Sequence, residues 1–152
     1  FLDALANTAD EKMEVARIEL DEENEVFAFF SGDYAASYMI DLQKNAPFAV
    51  GEMGAIVVIP TKGAALAYPI NDGRIMEFIG SFNPLIEKIY NEDEYPITDD
   101  YYWYYNGKYE QFPVQTDEEN RCFISMPDRL IILLALNSND NNDNEDYDDE
   151  DE

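Results

Sequence analysis

Carboxylates and aromatic rings lie close together in the sequence around one Asn-Gly pair, and they are the residues best suited to chemistry. Asp99 and Asp100 precede an aromatic run at 101–105, and Glu110 follows it. Paired acids beside stacking rings are typical of sugar-cleaving sites, and aromatic platforms alone can bind sugars. The same rings are equally typical of strands, where Tyr and Trp are common. The candidate surface for a ligand or partner comprises Asp99, Asp100, Tyr101, Trp103, Tyr105 and Glu110.

The residues that the chain lacks exclude several catalytic chemistries. It has no His among its 152 residues, which removes Ser-His-Asp and Cys-His arrangements and every His-ligated metal site. Cys122 is the single Cys, so it can neither close an intrachain disulfide nor build a thiolate zinc site. Lys62-Gly63 lacks the glycine spacing of a phosphate-binding loop. We therefore expect no catalytic residue, cofactor or metal, and a protein that is not an enzyme.

The Asn106-Gly107 pair is the strongest turn signal in the chain. Both residue types tolerate the positive φ that a two-residue type I′ turn requires, so 101–105 and 108–114 should form a hairpin. Counting outward from the turn predicts the pairs. One side should carry Tyr105 opposite Lys108, Trp103 opposite Glu110, and Tyr101 opposite Phe112. The other side should carry Tyr104 opposite Tyr109 and Tyr102 opposite Gln111.

Two further hairpins are expected before this one. Residues 13–20 alternate between apolar and polar side chains, residues 25–30 are rich in Phe, and an acidic turn lies between them. The run AIVVIP at 55–60 is wholly apolar, which predicts a strand buried on both faces, and residues 64–70 should return as its partner. Three hairpins predict a mostly antiparallel sheet.

Two main helices are expected to pack on this sheet and to complete an α+β fold. Apolar residues at helical spacing predict one helix over 34–43, capped by Asp33, and another over 74–90. Asn83 can cap a helix and Pro84 can take its first position, which predicts a kink or two abutting helices. A strand is expected within 121–126. The apolar run at 130–136 fits a helix and a strand equally well.

The chain is strongly acidic, with 34 Asp plus Glu against nine Lys plus Arg and a formal net charge of −25. Binding of nucleic-acid phosphates needs clustered Lys and Arg, so no direct nucleic-acid partner is expected. No apolar run approaches the ~20 residues of a membrane span, and no membrane association is expected. Residues 137–152 hold nine acids and no base, and they are expected to form a disordered acidic tail after a single domain at 1–136.

The first residue is Phe, and no Lys or Arg precedes the first apolar residues. An intact secretory signal would begin with such a basic stretch. We therefore expect a processed product or a C-terminal piece of a longer protein. This start leaves the compartment open, and the location that we expect is cytoplasmic.

Three segments together resemble the YtpQ-like family of uncharacterised bacterial proteins. They are GDYAASYMIDL at 32–42, GAIVVIPTKGAALAYP at 54–69 and NEDEYPITDDYYWYYNGKYEQF at 91–112, and the resemblance covers about residues 25–112. It departs from the family at Lys62-Gly63, where an Arg-Asp pair is expected. The resemblance implies a bacterial α+β domain of unassigned function, with additional chain N-terminal to this region.

These observations favour a non-catalytic binding or regulatory module that meets a basic protein through its acidic surface. One alternative is an acidic inhibitor or immunity protein that mimics the charge of nucleic acid. A second alternative is a carbohydrate-directed protein that uses the aromatic hairpin. The position of the acids separates them: a rod-like row favours mimicry, and a cleft holding Asp99, Asp100 and Glu110 favours sugar chemistry.

Overall fold

The computed structural model describes residues 13–19, 22, 24–32, 34–71, 74–119 and 121–137. The predicted acidic tail beyond residue 137, the N-terminal segment 1–12 and the predicted cap Asp33 lie outside these residues. In the described part of the chain, no helix combines the length and the apolar composition that crossing a membrane requires.

Three hairpins build the central sheet, as the sequence predicts. The strands are β1 (Glu14–Glu19), β2 (Glu25–Phe30), β3 (Ala55–Thr61), β4 (Ala64–Pro69), β5 (Tyr101–Tyr105) and β6 (Lys108–Phe112). Their order across the sheet is β1-β2-β4-β3-β5-β6, and every neighbouring pair is antiparallel. β3 is an inner strand with layers on both faces, which is why its apolar run is buried almost throughout. The α+β fold is confirmed.

Short helical segments cover one face of the sheet. They are α1 (Ala35–Tyr38), a 3₁₀ turn (Met39–Asp41), α2 (Leu42–Asn45) and a second 3₁₀ turn (Pro47–Ala49). Alanines dominate this interface, so the backbone of these segments can lie close to the strands. The buried alanines of this layer are Ala35, Ala46, Ala49, Ala55, Ala65 and Ala67.

The prediction of one continuous helix over 34–43 is wrong. The carbonyl of Tyr38 accepts a hydrogen bond from Asn45 Nδ2 at 2.9 Å, and the carbonyl of Met39 accepts one from the Tyr109 hydroxyl at 2.5 Å. In a regular helix these carbonyls would be bonded to backbone N–H groups one turn later. Asp41, at φ −124 and ψ 63, then leaves helical geometry. One local side-chain hydrogen bond, from Asn45, and one tertiary hydrogen bond, from Tyr109, therefore accompany the break of the segment into short pieces.

A long helix, α3 (Ile75–Glu92), covers the opposite face of the sheet. Its apolar stripe faces the strands, with Ile75, Ile79 and Ile86 fully buried. Of the two outcomes predicted at Pro84, a kink or two abutting helices, the second is wrong, because one helix continues through that residue. Pro84 lacks the N–H that would bond to the carbonyl of Gly80, and Gly80 lies on the exposed side, where water can satisfy that carbonyl.

The chain then forms a small second sheet and a last helix. β7 (Val114–Thr116) pairs with β8 (Cys122–Ile124), as expected for the 121–126 segment, and Cys122 is half-buried. Residues 128–137 form a helix, α4, which resolves the choice that periodicity left open. Leu130 is fully buried, and Leu133 and Leu134 pack against the core beneath α3. This one-sided burial over a helical repeat is the physical reason for the helix.

Candidate functional site

The aromatic hairpin has the turn and the register that the sequence predicts. Asn106 and Gly107 have φ of 50 and 77, so both carry the positive φ of a type I′ turn. The five pairs between β5 and β6 agree with the count outward from that turn, from Tyr105 opposite Lys108 to Tyr101 opposite Phe112. The alternation gives the hairpin two faces with different surroundings, and each face has its own cavity.

Tyr101 lies on the first face of the hairpin, which also carries Trp103, Tyr105 and Glu110, but it is a core residue. Its side chain is 1% exposed, and its hydroxyl donates a hydrogen bond to Asn83 Oδ1 at 2.8 Å. Burial is the largest cause that raises the pKa of Tyr101, and the nearby Cys122, Glu87 and Asp99 add to it. A side chain held in this way cannot contact a ligand, so Tyr101 does not belong to the candidate surface.

Trp103, Tyr105 and Glu110 come together on the same face, further toward the turn. The Trp103 and Tyr105 rings stack with centroids 5.1 Å apart and planes 16° apart. Trp103 Nε1 donates to the Met53 carbonyl at 2.8 Å, which fixes the ring against the loop before β3. We name the adjoining space of about 310 Å³ the cation–aromatic cavity. It is lined by Trp103, Tyr105, Asn106, Lys108, Glu110 and Arg129.

Two cations of this cavity were not among the residues that the sequence singled out. Lys108 could have been found, because the predicted register places it opposite Tyr105. Arg129 could not, because it comes from the first turn of α4, far along the chain, and only the packing of α4 brings it there. Its guanidinium carbon lies 5.3 Å from the centroid of the Tyr105 ring.

Asp99 and Asp100 do not line the cavity that contains Glu110. They lie in the irregular segment before β5, where the Asp100 N–H donates to Thr98 Oγ1 at 2.9 Å and Asp99 is exposed. Among the residues that the structure describes, no group of three or more acidic or Cys side chains is arranged to hold a metal ion. The structure therefore separates the two aspartates from Glu110.

The second face of the hairpin forms one wall of an apolar groove. This groove encloses about 300 Å³ between the hairpin, the Met39–Asp41 turn and the segment before β5. It is lined by Ala36, Met39, Ile40, Ile59, Ile97, Thr98, Tyr102 and Tyr109. The hydroxyl of Tyr109, one of the two tyrosines of the hairpin wall, donates a hydrogen bond to the Met39 carbonyl. Burial and then Tyr104 raise the pKa of Tyr109.

Two isoleucines of the apolar groove are open to solvent. Ile40 is 63% exposed and Ile97 is 45% exposed. Acidic residues follow the groove residues along the chain: Asp41 comes after Ile40, and Asp99 and Asp100 come after Thr98. No Lys or Arg is among the lining residues. The groove can therefore accept an apolar side chain, and the carboxylates beside it favour basic neighbours of that side chain.

Comparison with known proteins yields no relative. No known protein family matches this chain, and neither a curated protein nor a solved structure matches it. The similarity to the YtpQ-like family therefore stays a prediction.

Proposed function

We propose that this chain is a non-catalytic binding module whose apolar groove takes one apolar side chain from a basic segment of a partner protein. The observation that carries the proposal is an open apolar groove whose lining residues include no Lys or Arg, with Asp41, Asp99 and Asp100 next to lining residues in the chain. Exposed apolar surface rimmed by polar groups typically marks interaction sites.

The apolar anchor supplies the binding energy in this proposal. Full burial of a Leu-sized side chain stabilises a complex by about 1.5–3 kcal/mol. Met39 forms the floor of the groove and is buried, while Ile40 and Ile97 are exposed and would be covered by the partner. Ile40 and Ile97 are therefore the residues that binding should depend on most.

The acidic residues orient the basic segment of the partner and raise its association rate. Asp41, Asp99 and Asp100 neighbour the groove residues in a chain whose formal net charge is −25. A field of this sign attracts a basic segment and mainly raises the association rate, which falls as salt screens the charges. The same field disfavours acidic partners and the phosphates of nucleic acid.

Selection from a random displayed-peptide library tests the proposal. The enriched peptides are expected to place one apolar residue between Lys or Arg residues. A labelled copy of an enriched peptide is then titrated with protein, and fluorescence anisotropy gives the affinity. Ile40→Gln and Ile97→Gln should each weaken binding by about tenfold or more, because each removes apolar surface from the contact.

Ile132→Gln is the matched control. Ile132 is 59% exposed like Ile40, but it lies on α4, outside the groove. This variant should bind the peptide as the parent protein does. Enrichment of acidic peptides, or full binding by both groove variants, would refute the proposal.

We also propose that the chain is a bacterial protein of the YtpQ-like family and that its location is cytoplasmic. The alternative of a nucleic-acid mimic rests on net charge alone. The groove favours the binding module over it, because a charge mimic has no need of an apolar anchor site.

A further inference from the structure

The cation–aromatic cavity lies on the opposite face of the hairpin from the apolar groove and has the opposite local charge. Of the described arginines, Arg17, Arg74 and Arg121 each pair with a carboxylate. Arg129 makes no ion pair with any described residue, although the chain has 34 acids, and Lys108 makes none either. Two cations without carboxylate partners therefore face one small cavity.

The aromatic pair holds Arg129 in place. Tyr105 is stacked against Trp103 on the first face of the hairpin, and the Arg129 guanidinium lies over the Tyr105 ring. The Arg129 guanidinium carbon lies 5.3 Å from the ring centroid, and no described acceptor takes up its N–H groups in an ion pair, so these groups can donate to a ligand. These donors suit a carboxylate, which a guanidinium can bind with two parallel hydrogen bonds.

The remaining polar groups define the rest of the ligand. Glu110 lines the same cavity and accepts hydrogen bonds, so it suits hydroxyl groups and repels a second negative charge. The Asn106 amide can both donate and accept. The cavity volume of about 310 Å³ is near the small end of ligand sites, which run from about 300 to 1,000 Å³, and matches a single ring.

We infer that the cation–aromatic cavity binds a monoanionic sugar, a hexuronic acid or a hexuronate residue of a glycan. Lys108 and Arg129 hold its carboxylate, and Glu110 and Asn106 bond its hydroxyl groups. The part of Tyr105 that Arg129 leaves uncovered borders its C–H surface, and Trp103, only 3% exposed, supports Tyr105 from behind. No bond is formed or broken. This inference does not rest on the proposed peptide function, because the two sites share no lining residue.

The net charge of the chain does not prevent such binding. At 0.15 M salt the screening length is ~8 Å, so the nearby cations act on a bound carboxylate more strongly than distant acids do. Glucuronate binding should therefore be measured near physiological salt, where repulsion by distant acids is weaker, relative to the direct contacts, than it is at low salt.

The single Trp of the chain is a built-in reporter, because Trp103 lines the cavity. Sodium D-glucuronate should change its fluorescence in a saturable way, and isothermal titration calorimetry should return the same affinity. D-glucose, the matched neutral sugar, should bind at least about tenfold more weakly, since it lacks the charge-assisted hydrogen bonds. Inorganic phosphate should also bind more weakly, because it carries more negative charge toward Glu110.

Variants assign the effect to the cavity. Lys108→Gln and Arg129→Gln should each weaken glucuronate binding by about tenfold or more. Lys88→Gln, which makes the same change in net charge at an exposed position of α3, should leave it unchanged. Glu110→Gln should strengthen phosphate binding. The ratio of glucuronate affinity to phosphate affinity should therefore be smaller in this variant than in the parent protein. Circular dichroism confirms that each variant is folded.

Three results would overturn the inference. Absence of saturable glucuronate binding to the folded protein would remove the site. Equal affinity for glucose would show a neutral sugar platform, and equal affinity for phosphate would show a bare anion site. Loss of glucuronate binding would leave peptide binding at the apolar groove intact, so the two proposals fail separately.

Discussion

The Tyr101 hydroxyl donates a hydrogen bond to Asn83 Oδ1 at 2.8 Å, and this bond joins the first residue of β5 to the turn of α3 that contains Pro84. Both side chains are buried, and Asn83 Nδ2 donates in turn to Glu87 at 3.1 Å. The bond positions the aromatic hairpin relative to α3, and therefore supports both of its cavities.

Removal of this donor should destabilise the protein. Tyr101→Phe leaves the buried Asn83 oxygen without its partner, which costs about 1–3 kcal/mol in free energy of unfolding. Urea denaturation measures it, with Tyr95→Phe as a control, because Tyr95 is 70% exposed. The double variant Tyr101→Phe/Asn83→Leu should lose less than the two single losses added together. Equal stability of the Tyr101 and Tyr95 variants would mean that the bond contributes nothing.

The turn at Asn106-Gly107 should tolerate Gly at its first position and be destabilised by a β-branched residue at its second position. Gly107 has φ +77, and no other atom lies within 4 Å of a Cβ placed on it, so the cost of a side chain there comes from the backbone alone. Gly107→Val should lower the free energy of unfolding by about 1–3 kcal/mol. Asn106→Gly should be nearly neutral, because Gly accepts the φ of 50 at that position. Thermal and urea unfolding of both variants test this, and equal losses would contradict it.

A side chain at Gly54 should be far more damaging, because β5 passes directly over it. A Cβ at Gly54 would lie 2.0 Å from the Tyr104 carbonyl oxygen, and the residue has φ +87. Gly54→Ala should therefore cost on the order of 3 kcal/mol or more. Gly80→Ala is the matched control: nothing lies within 4 Å, and replacing a helical Gly should gain roughly 0.5–1 kcal/mol. Similar stability of the two variants in urea would show that β3 and β5 are not in this contact.

Two tyrosines should ionise late in an alkaline titration. Burial raises the pKa of Tyr101 and of Tyr109 above the ordinary value near 10. When the pKa of a tyrosine is higher in the folded state than in the unfolded state, the proton on its hydroxyl stabilises the folded protein. This stabilisation is complete at a pH below the pKa of the unfolded state, and it is lost as the pH rises through the pKa of the folded state. The free energy of unfolding should therefore fall as pH rises above 10.

Tyrosinate absorbance measures this directly. Tyr101→Phe and Tyr109→Phe should each remove signal only from the most alkaline part of the titration of the folded protein. The same protein in guanidinium chloride is the control, because its tyrosines should all titrate near the ordinary value of about 10. Loss of signal near pH 10 in the folded Tyr109→Phe variant would mean that the Tyr109 hydroxyl is not buried in the folded protein.

Salt should stabilise the isolated protein. Nine of its 34 acids lie in 137–152, which leaves residues 1–136 with 25 acids, nine bases and a net charge of −16. Repulsion among these charges is screened over ~8 Å at 0.15 M salt against ~30 Å at 0.01 M, so the melting temperature should rise over that range. Sodium chloride and potassium fluoride at equal ionic strength should give the same rise. A flat or falling curve would show that the acids are already neutralised by close partners or bound cations.

Several features could be predicted because their causes are local in the chain. The φ preferences of Asn106 and Gly107 specify the turn, and the turn specifies every pair of β5 and β6. The unbroken apolar run of β3 specifies an inner strand with both faces covered. Each of these is decided within a few residues, so the sequence by itself determined the hairpins, the antiparallel sheet and the α+β class.

The sites were decided only by tertiary structure. Arg129 reaches Tyr105 because α4 packs by Leu130. Tyr101 is inaccessible to a ligand because its part of the hairpin face is buried in the core, where Asn83 accepts its hydrogen bond. Two walls of the apolar groove are joined by the hydrogen bond from the Tyr109 hydroxyl to the Met39 carbonyl. In each case the deciding contact joins residues that are distant in sequence, and its energy competes with local preferences of similar size. Neither the periodicity nor the composition of the sequence shows whether the distant contact or the local preference is the stronger.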